Sequence, residues 1–340
     1  MVARLTTLSF CLLFFVGCSV TITPNSRIYQ KELNRPPEAF THQVFNSALF
    51  TKVAVESTEN YQTFKLTTQR ENILRAKYIR SRLPGKKKTI IVFPLYGVNE
   101  IPVRWFVDYL TEMNRAADFN VIYLQEGHGD DPLDLDAFLS LKTGEELLTE
   151  SFETVRRFER AIDGIRDLLD WSRQESAIDQ RAIGIIGFST SALVASVAMA
   201  VEPRISAGVI FLGGGNIHEM FAEGSEPRIS AIRKNFSQST GKPATELAKI
   251  LKINWSKIDP LSYASVLDPA KILYFDSEHD EYIPKSGRDE FWKRADQPTR
   301  ITFQHSHKWS FLALTPLWFY YANQKIVNFF RKTFSARSAP

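Results

Sequence analysis

Short, fully apolar runs alternate along this chain with amphipathic helical stretches, and that alternation restricts its fold more than any other feature. "KTIIVFPLYG" (88–97), "FNVIYLQEGHGDD" (119–131), "AIGIIG" (182–187), "ISAGVIFLGGG" (205–215) and "KILYFDSEHDEYIP" (271–284) read as buried strands ending in turns. Between them lie "VRWFVDYLTEMNRAA" (103–117), an amphipathic helix or helix pair over 144–173, "SALVASVAMAV" (191–201) and "SGRDEFWKRAD" (286–296). Strands that are apolar on both faces must be covered on both faces. The pattern predicts an α/β fold with a mainly parallel central sheet and helices on each side. "ALFTKVAV", "YQTFKLTT" and "ILRAKYIRS", within 43–82, show partial alternation and predict an antiparallel entry to that sheet. Polar, helical residues 216–262 interrupt the alternation and read as a helical cap insertion. "RITFQ" (300–304) is a last strand, and "TPLWFYYANQKIVNFFRKTF" (315–334) a last helix with Thr315 as N-cap and Pro316 at its first position. Buried core helices and membrane-contact faces share the aromatic character of that last segment. In sheets of this kind, sites form at the carboxyl ends of strands.

The 340 residues are 44% apolar and 24% charged, enough for one large core. The net charge is +4, and "GKKKT" (85–89) is the densest basic cluster. So short a run reads as a solvated turn, which argues against a nucleic-acid partner. The first residues differ from the rest. Arg4 precedes the apolar stretch Leu5–Gly17, shorter than the ~20 residues that cross a bilayer and of the size of a secretory h-region. "Phe15-Val16-Gly17-Cys18" resembles a bacterial lipoprotein box, with Phe15 where Leu is usual. The resemblance implies a signal peptide over 1–17, acylation of Cys18, a tether over 18–42 and the main domain over 43–335. Ser19 after the cysteine fits sorting to the outer membrane. An ordinary signal peptide and an uncleaved anchor are the other readings. Cys11 and Cys18 are the only cysteines, so a mature chain would hold neither a disulfide nor a thiol nucleophile.

Chemistry concentrates at "GIIGFSTSALVAS" (184–196), a strand running through Gly187-Phe188-Ser189-Thr190-Ser191 into a small-residue helix. A sharp strand-to-helix turn of this type exposes a serine hydroxyl above the sheet. The neighbouring positions must be small, and Gly187, Ser191 and Ala192 are. The competing reading makes Ser189 a simple helix cap. A nucleophilic serine also needs a base, and a group that orients the base. Asp276, Glu278, Asp280 and Glu281 share the turn after the strand 271–275 and are the candidate acids, with a turn-initiating carboxylate as the plain alternative for Asp280. Two of the six histidines, His305 and His307, follow the last strand. His307 lies further into the loop and is preferred as base, with His305 the alternative. A His-x-His metal half-site would need further ligands that the sequence does not supply, so neither a metal nor an organic cofactor is expected.

These features resemble the α/β-hydrolase superfamily over about residues 45–335. The chain order serine, acid, histidine is that superfamily's, and the resemblance favours Asp280, four residues before Pro284, as the acid over its three rivals. "GFSTS" is similar to the "G-x-S-T-G" elbows of lysophospholipase- and esterase-like members. The resemblance implies an oxyanion hole built from the N–H of Thr190 and one from Leu95 or Tyr96, with Gly97 easing the backbone. It also matches Gly127-His128-Gly129 to a pocket-rim turn without a catalytic role. Ser191 replaces the elbow glycine, Ser277 stands where glycine is common, and "PLYG" lacks the glycine-rich lipase form. The implied function is a serine hydrolase of carboxylic esters, including acyl lipids, held at the cell envelope by its lipid anchor. A peptidase, an acyltransferase, and a degenerate hydrolase fold that binds without catalysis are the alternatives.

Overall fold

The computed structural model describes residues 20–23, 50–57, 61–68, 73–96, 101–111, 119–125, 131–141 and 143–336. Ten strands make one sheet: β1 (Val20–Thr23), β2 (Phe50–Ser57), β3 (Tyr61–Thr68), β4 (Ile73–Ile79), β5 (Lys87–Val92), β6 (Phe119–Gln125), β7 (Ile178–Phe188), β8 (Ala207–Phe211), β9 (Ile272–His279) and β10 (Thr299–Ser306). Their order across the sheet is β1-β10-β9-β8-β7-β5-β6-β4-β3-β2. The six central strands, β6 to β10 with β5 between β6 and β7, run parallel. The expected antiparallel entry is present: β2, β3 and β4 pair in sequence, and β4 joins β6. At the opposite edge β1 pairs antiparallel with β10, so Val20–Thr23, within the stretch 18–42 expected as a tether, belongs to the sheet.

Side-chain alternation explains the two-sided covering. Ile91, Ile122, Ile183 and Ile185 point to one face and Ile90, Val92, Val121, Ile186 and Phe188 to the other. The helices are α1 (Ile101–Thr111), α2 (Leu135–Ser140), α3 (Gly144–Ser172), α4 (Thr190–Val201), α5 (Met220–Glu223), α6 (Pro227–Thr240), α7 (Ala244–Trp255), α8 (Lys285–Arg294), α9 (His307–Ser310) and α10 (Tyr321–Ala336). The face holding Ile185 packs against α3 and α4, the opposite one against α1 and α10. The stretch 144–173 forms one helix rather than two. A reciprocal capping box between Thr143 and Glu146 starts it, and Leu147, Val155, Phe158, Ile162, Ile165 and Leu169 line its buried side. The segment 216–262 between β8 and β9 is helical, as its polar periodicity predicts. Phe221 and Trp255 within it close an aromatic cluster with Phe138 of α2.

Two expectations need adjustment. β7 begins at Ile178, because Asp179, Gln180 and Arg181 extend it beyond the apolar run that marked it. The final helix starts at Tyr321. Thr315 does cap, accepting the Leu317 N–H, but it caps only the 3₁₀ turn Pro316–Trp318. Left-handed backbone at Phe319 (φ 51°) and Tyr320 (φ 53°) then separates that turn from α10. The buried face of α10 (Ile326, Val327, Phe330, Phe334) belongs to the core, while Leu317 and Phe319 on the preceding turn are exposed. No helix among the described residues is long and apolar enough to cross a membrane.

This topology positions the site. The chain passes from β5 out to β6 and then returns past β5 to β7, so its direction across the sheet reverses there. The carboxyl ends of β5 and β7 lie level, with Val92 opposite Ile186 and the Phe93 N–H on the Ile186 carbonyl. A crevice forms at such a reversal. The segments leaving its two walls are Phe93–Tyr96 and the Ser189 turn.

Candidate active site

Ser189 joins β7 to α4 with φ 53° and ψ −119°, a conformation that L-residues rarely adopt. Its own N–H is tied to the Phe211 carbonyl on β8, 2.9 Å away, and its carbonyl accepts from Ala192. The side chain makes no capping hydrogen bond, so the helix-cap reading of Ser189 is set aside. Close backbone approach enforces the turn. A Cβ at Gly187 would lie 2.2 Å from the Ser191 carbonyl oxygen and 2.7 Å from the Ala192 Cα. Only glycine fits there.

The three residues predicted to act together converge. Ser189 Oγ is 2.8 Å from His307 Nε2, and His307 Nδ1 is 2.7 Å from Asp280 Oδ2. His307 stands at the start of α9, just past β10, with 3% of its surface exposed. Its ring leans on Tyr282 (4.8 Å between centroids) and Phe311 (5.8 Å), which restrict its rotation. Its backbone N–H donates to Glu281 Oε2 at 2.8 Å.

Asp280 sits in the loop after β9. Its Oδ1 accepts the N–H groups of Tyr282 (2.8 Å) and Ile283 (3.0 Å), an Asx turn that aims Oδ2 at the imidazole. Burial alone would raise this carboxyl. The facing His307 charge and hydrogen bond, the Arg288 charge and the Ile283 N–H outweigh burial and hold it below its ordinary value. An ionised Asp280 can only accept, so Nδ1 carries the proton and Nε2 presents its lone pair to the Ser189 hydroxyl.

The rivals have other partners. Asp276 is fully buried between Arg288 and Arg300, both ion-paired to it, and Arg300 also reaches Asp289 at 2.7 Å. Glu278 pairs with exposed Lys285, and Glu281 serves the His307 backbone. His305, the alternative base, is not in the constellation. It is still part of β10, its ring lies 5.1 Å from that of Trp318, and its buried Nε2 has no partner among the described residues. Burial, and then the nearby His279, lower its pKa. The Ser277 hydroxyl donates to the His305 carbonyl and ties β9 to β10.

Of the predicted oxyanion residues, Thr190 opens α4 directly after Ser189, and Leu95 and Tyr96 follow β5 across the crevice. Neither the Thr190 nor the Leu95 N–H meets a protein acceptor among the described residues. Gly97, Gly127-His128-Gly129 and Cys18 lie outside the described residues. No cluster of three or more His, Cys, Asp or Glu suited to a metal ion occurs among the described ones.

Sequence reasoning missed Arg288 and Tyr282. Arg288 Nε donates to the Ile283 carbonyl at 2.9 Å and its Nη1 to the Ser277 carbonyl, so one guanidinium grips both ends of the loop carrying Asp280. Arg288 lies on α8, where "SGRDEFWKRAD" reads simply as an amphipathic helix. No local signal marks one of its arginines as buried.

No family model matches the chain, and no curated protein matches it. Solved structures do. The esterase Pf2001 of Pyrococcus furiosus is 17% identical, covers 84% of this chain with 98% of its own, and superposes with a TM-score of 0.50. Acetyl xylan esterase 1 from Thermoanaerobacterium sp. JW/SL YS485 is 16% identical over 78% of this chain and 87% of its own, with a TM-score of 0.50. The 2,6-dihydroxy-pseudo-oxynicotine hydrolase is 14% identical over 81% of this chain and 68% of its own, at 0.53. The chain has the α/β-hydrolase fold. Within that fold, Ser189, Asp280 and His307 occupy three loops at the carboxyl edge of the sheet: after β7, after β9 and after β10.

Proposed function

We propose that the chain is a serine hydrolase of carboxylic esters. The observation that carries this reading is the hydrogen-bonded series Ser189 Oγ, His307 Nε2, His307 Nδ1, Asp280 Oδ2, built on a serine of strained backbone that caps nothing. The esterases among the fold neighbours favour ester over amide substrates.

In the proposed reaction Ser189 Oγ attacks the ester carbonyl carbon as His307 Nε2 takes the hydroxyl proton. The carbonyl electron pair moves onto oxygen, where the Thr190 and Leu95 N–H groups receive it. Asp280 stabilises the imidazolium without taking its proton. The tetrahedral intermediate collapses, the C–O bond to the leaving group breaks, and His307 protonates the departing alkoxide. Water then attacks the acyl-enzyme and gives its proton to His307; the second tetrahedral intermediate collapses, the bond to Ser189 Oγ breaks, and His307 returns the proton to Oγ as the acid leaves. The helices of 216–262 serve as the cap over the acyl side. Acylation of Cys18 would place the enzyme against the envelope membrane, where ester lipids are at hand; the N-terminal sequence supports this.

The test treats the full chain with a fluorophosphonate probe and with p-nitrophenyl esters of graded acyl length, beside Ser189→Ala. Labelling and turnover should be present in the wild type and absent in the variant, with kcat down on the order of 10⁶-fold. A folded wild-type chain that neither labels nor hydrolyses any ester would sink the reading.

A further inference from the structure

Ser191 stands where this type of turn usually has glycine, and its side chain does something glycine cannot. It is wholly buried one residue beyond Thr190. Its Oγ accepts the Phe188 N–H at 2.8 Å. It has one hydrogen to donate and two acceptors within reach, Pro94 O at 2.8 Å and Phe188 O at 3.0 Å. No other donor among the described residues reaches Pro94 O. The hydroxyl therefore links the nucleophile turn to the segment leaving β5, across 97 residues of sequence.

The Pro94 carbonyl and the Leu95 N–H belong to one planar peptide, and the chain has no cis bond among its described residues. In a trans peptide the C=O and N–H point in opposite directions. Holding the carbonyl on the Ser191 side thus directs the Leu95 N–H away from Ser191. That N–H meets no protein acceptor among the described residues, although Leu95 is only 3% exposed. Buried backbone donors are rarely left so. With the Leu95 N–H left without an acceptor, the Pro94 carbonyl is the polar group through which the described residues hold this peptide. We infer that Ser191 is a positioning residue: through Pro94 O it orients the Leu95 N–H as the second oxyanion donor for the ester hydrolysis proposed above, on which this inference rests. The restraint that other sequences obtain from a glycine-rich loop comes here from the helix side.

The experiment compares the wild-type full chain with Ser191→Ala and Ser191→Gly, counting active sites by fluorophosphonate titration. It measures kcat, KM and the affinity of a trifluoromethyl ketone, whose hemiketal adduct with serine carries the oxyanion. Loss of a donor outright costs ~10²–10³ in rate, and a misaimed donor is expected to cost about 10- to 100-fold. Per active site, kcat should fall by that factor with KM within about twofold, and ketone affinity should fall in parallel. The pH profile of kcat/KM should be unchanged, because His307 and Asp280 are untouched. In ¹⁵N-labelled wild type, which needs no variant, the Leu95 amide resonance should move downfield when the adduct forms. Ketone affinity per active site within about twofold of wild type, or a Leu95 amide that ignores the adduct, overturns the inference while leaving the hydrolase standing. A wild-type chain without labelling or turnover overturns both.

Discussion

At the scale of single residues, Asp280 and Asp276 show how position alone separates two carboxylates four residues apart. Asp276 is the central charge of a buried ion network; Asp280 is aimed by its own loop's amides at His307. Replacing Asp280 by Asn keeps the shape but removes the charge that fixes the imidazole tautomer, and kcat should drop about 10⁴-fold in the p-nitrophenyl ester assay. The same substitution should alter acid stability. Asp280 titrates below its unfolded value of ~3.9, so its contribution is complete above that pH and is lost as pH falls through the lower folded value. Thermal unfolding of Asp280→Asn should therefore lose less Tm than wild type on acidification below about pH 4. An equal loss in both chains would remove Asp280 from the acid transition.

At the scale of elements, the strand–turn–helix at β7–α4 and the loop between β9 and α8 are held by opposite means. The first depends on missing atoms: a methyl group at Gly187 would collide with the α4 backbone. Gly187→Ala should cost about 3 kcal/mol or more, read as a fall in Tm, because backbone rather than a flexible side chain must yield. The second depends on a buried cation. Arg288→Met frees the carbonyls of Ser277 and Ile283 and leaves Asp276 with Arg300 alone. Breaking a buried pair costs about 3–5 kcal/mol. Because the freed loop carries Asp280, kcat should fall along with Tm. Arg288→Lys keeps the charge without the fork and should lie between the two on both measures. A Met variant with wild-type kcat would show that the loop holds its shape unaided.

At the scale of the whole molecule, the reversal of strand order at β5 and β7 brings Pro94 to Ser191, and the parallel run through β9 and β10 adds the loops of 280 and 307 at the same edge. The proposed membrane attachment rests on Cys18 in the N-terminal sequence. Cys18→Ser should move the chain from the detergent-rich to the aqueous phase in a temperature-driven detergent partition and abolish incorporation of labelled palmitate. Equal partitioning of both chains would remove the lipid anchor. The proposed ester hydrolysis should survive, since Ser189, Asp280 and His307 stand on loops of the central sheet remote in sequence from Cys18.

The sequence by itself determined the layered α/β class, because apolar runs too short for helices must be strands, and strands apolar on both faces must be covered on both. It determined the Gly187–Ser189 turn for a similar local reason: small residues are needed where strand and helix backbones nearly touch. Its resemblance to the α/β-hydrolases narrowed acid and base to two short loops by chain order. The sequence favoured Asp280 and His307 but left their rivals open: which histidine meets the serine, and which carboxylate meets that histidine, was decided by the tertiary structure. His305 and His307 differ by two residues, but strand β10 continues through Ser306, which keeps one ring in the sheet and turns the other toward Asp280. The end of that strand, the burial of Arg288 and the reach of the Ser191 hydroxyl to Pro94 all depend on neighbours distant in sequence. Such contacts exist only once the strands have paired, and no local pattern encodes them.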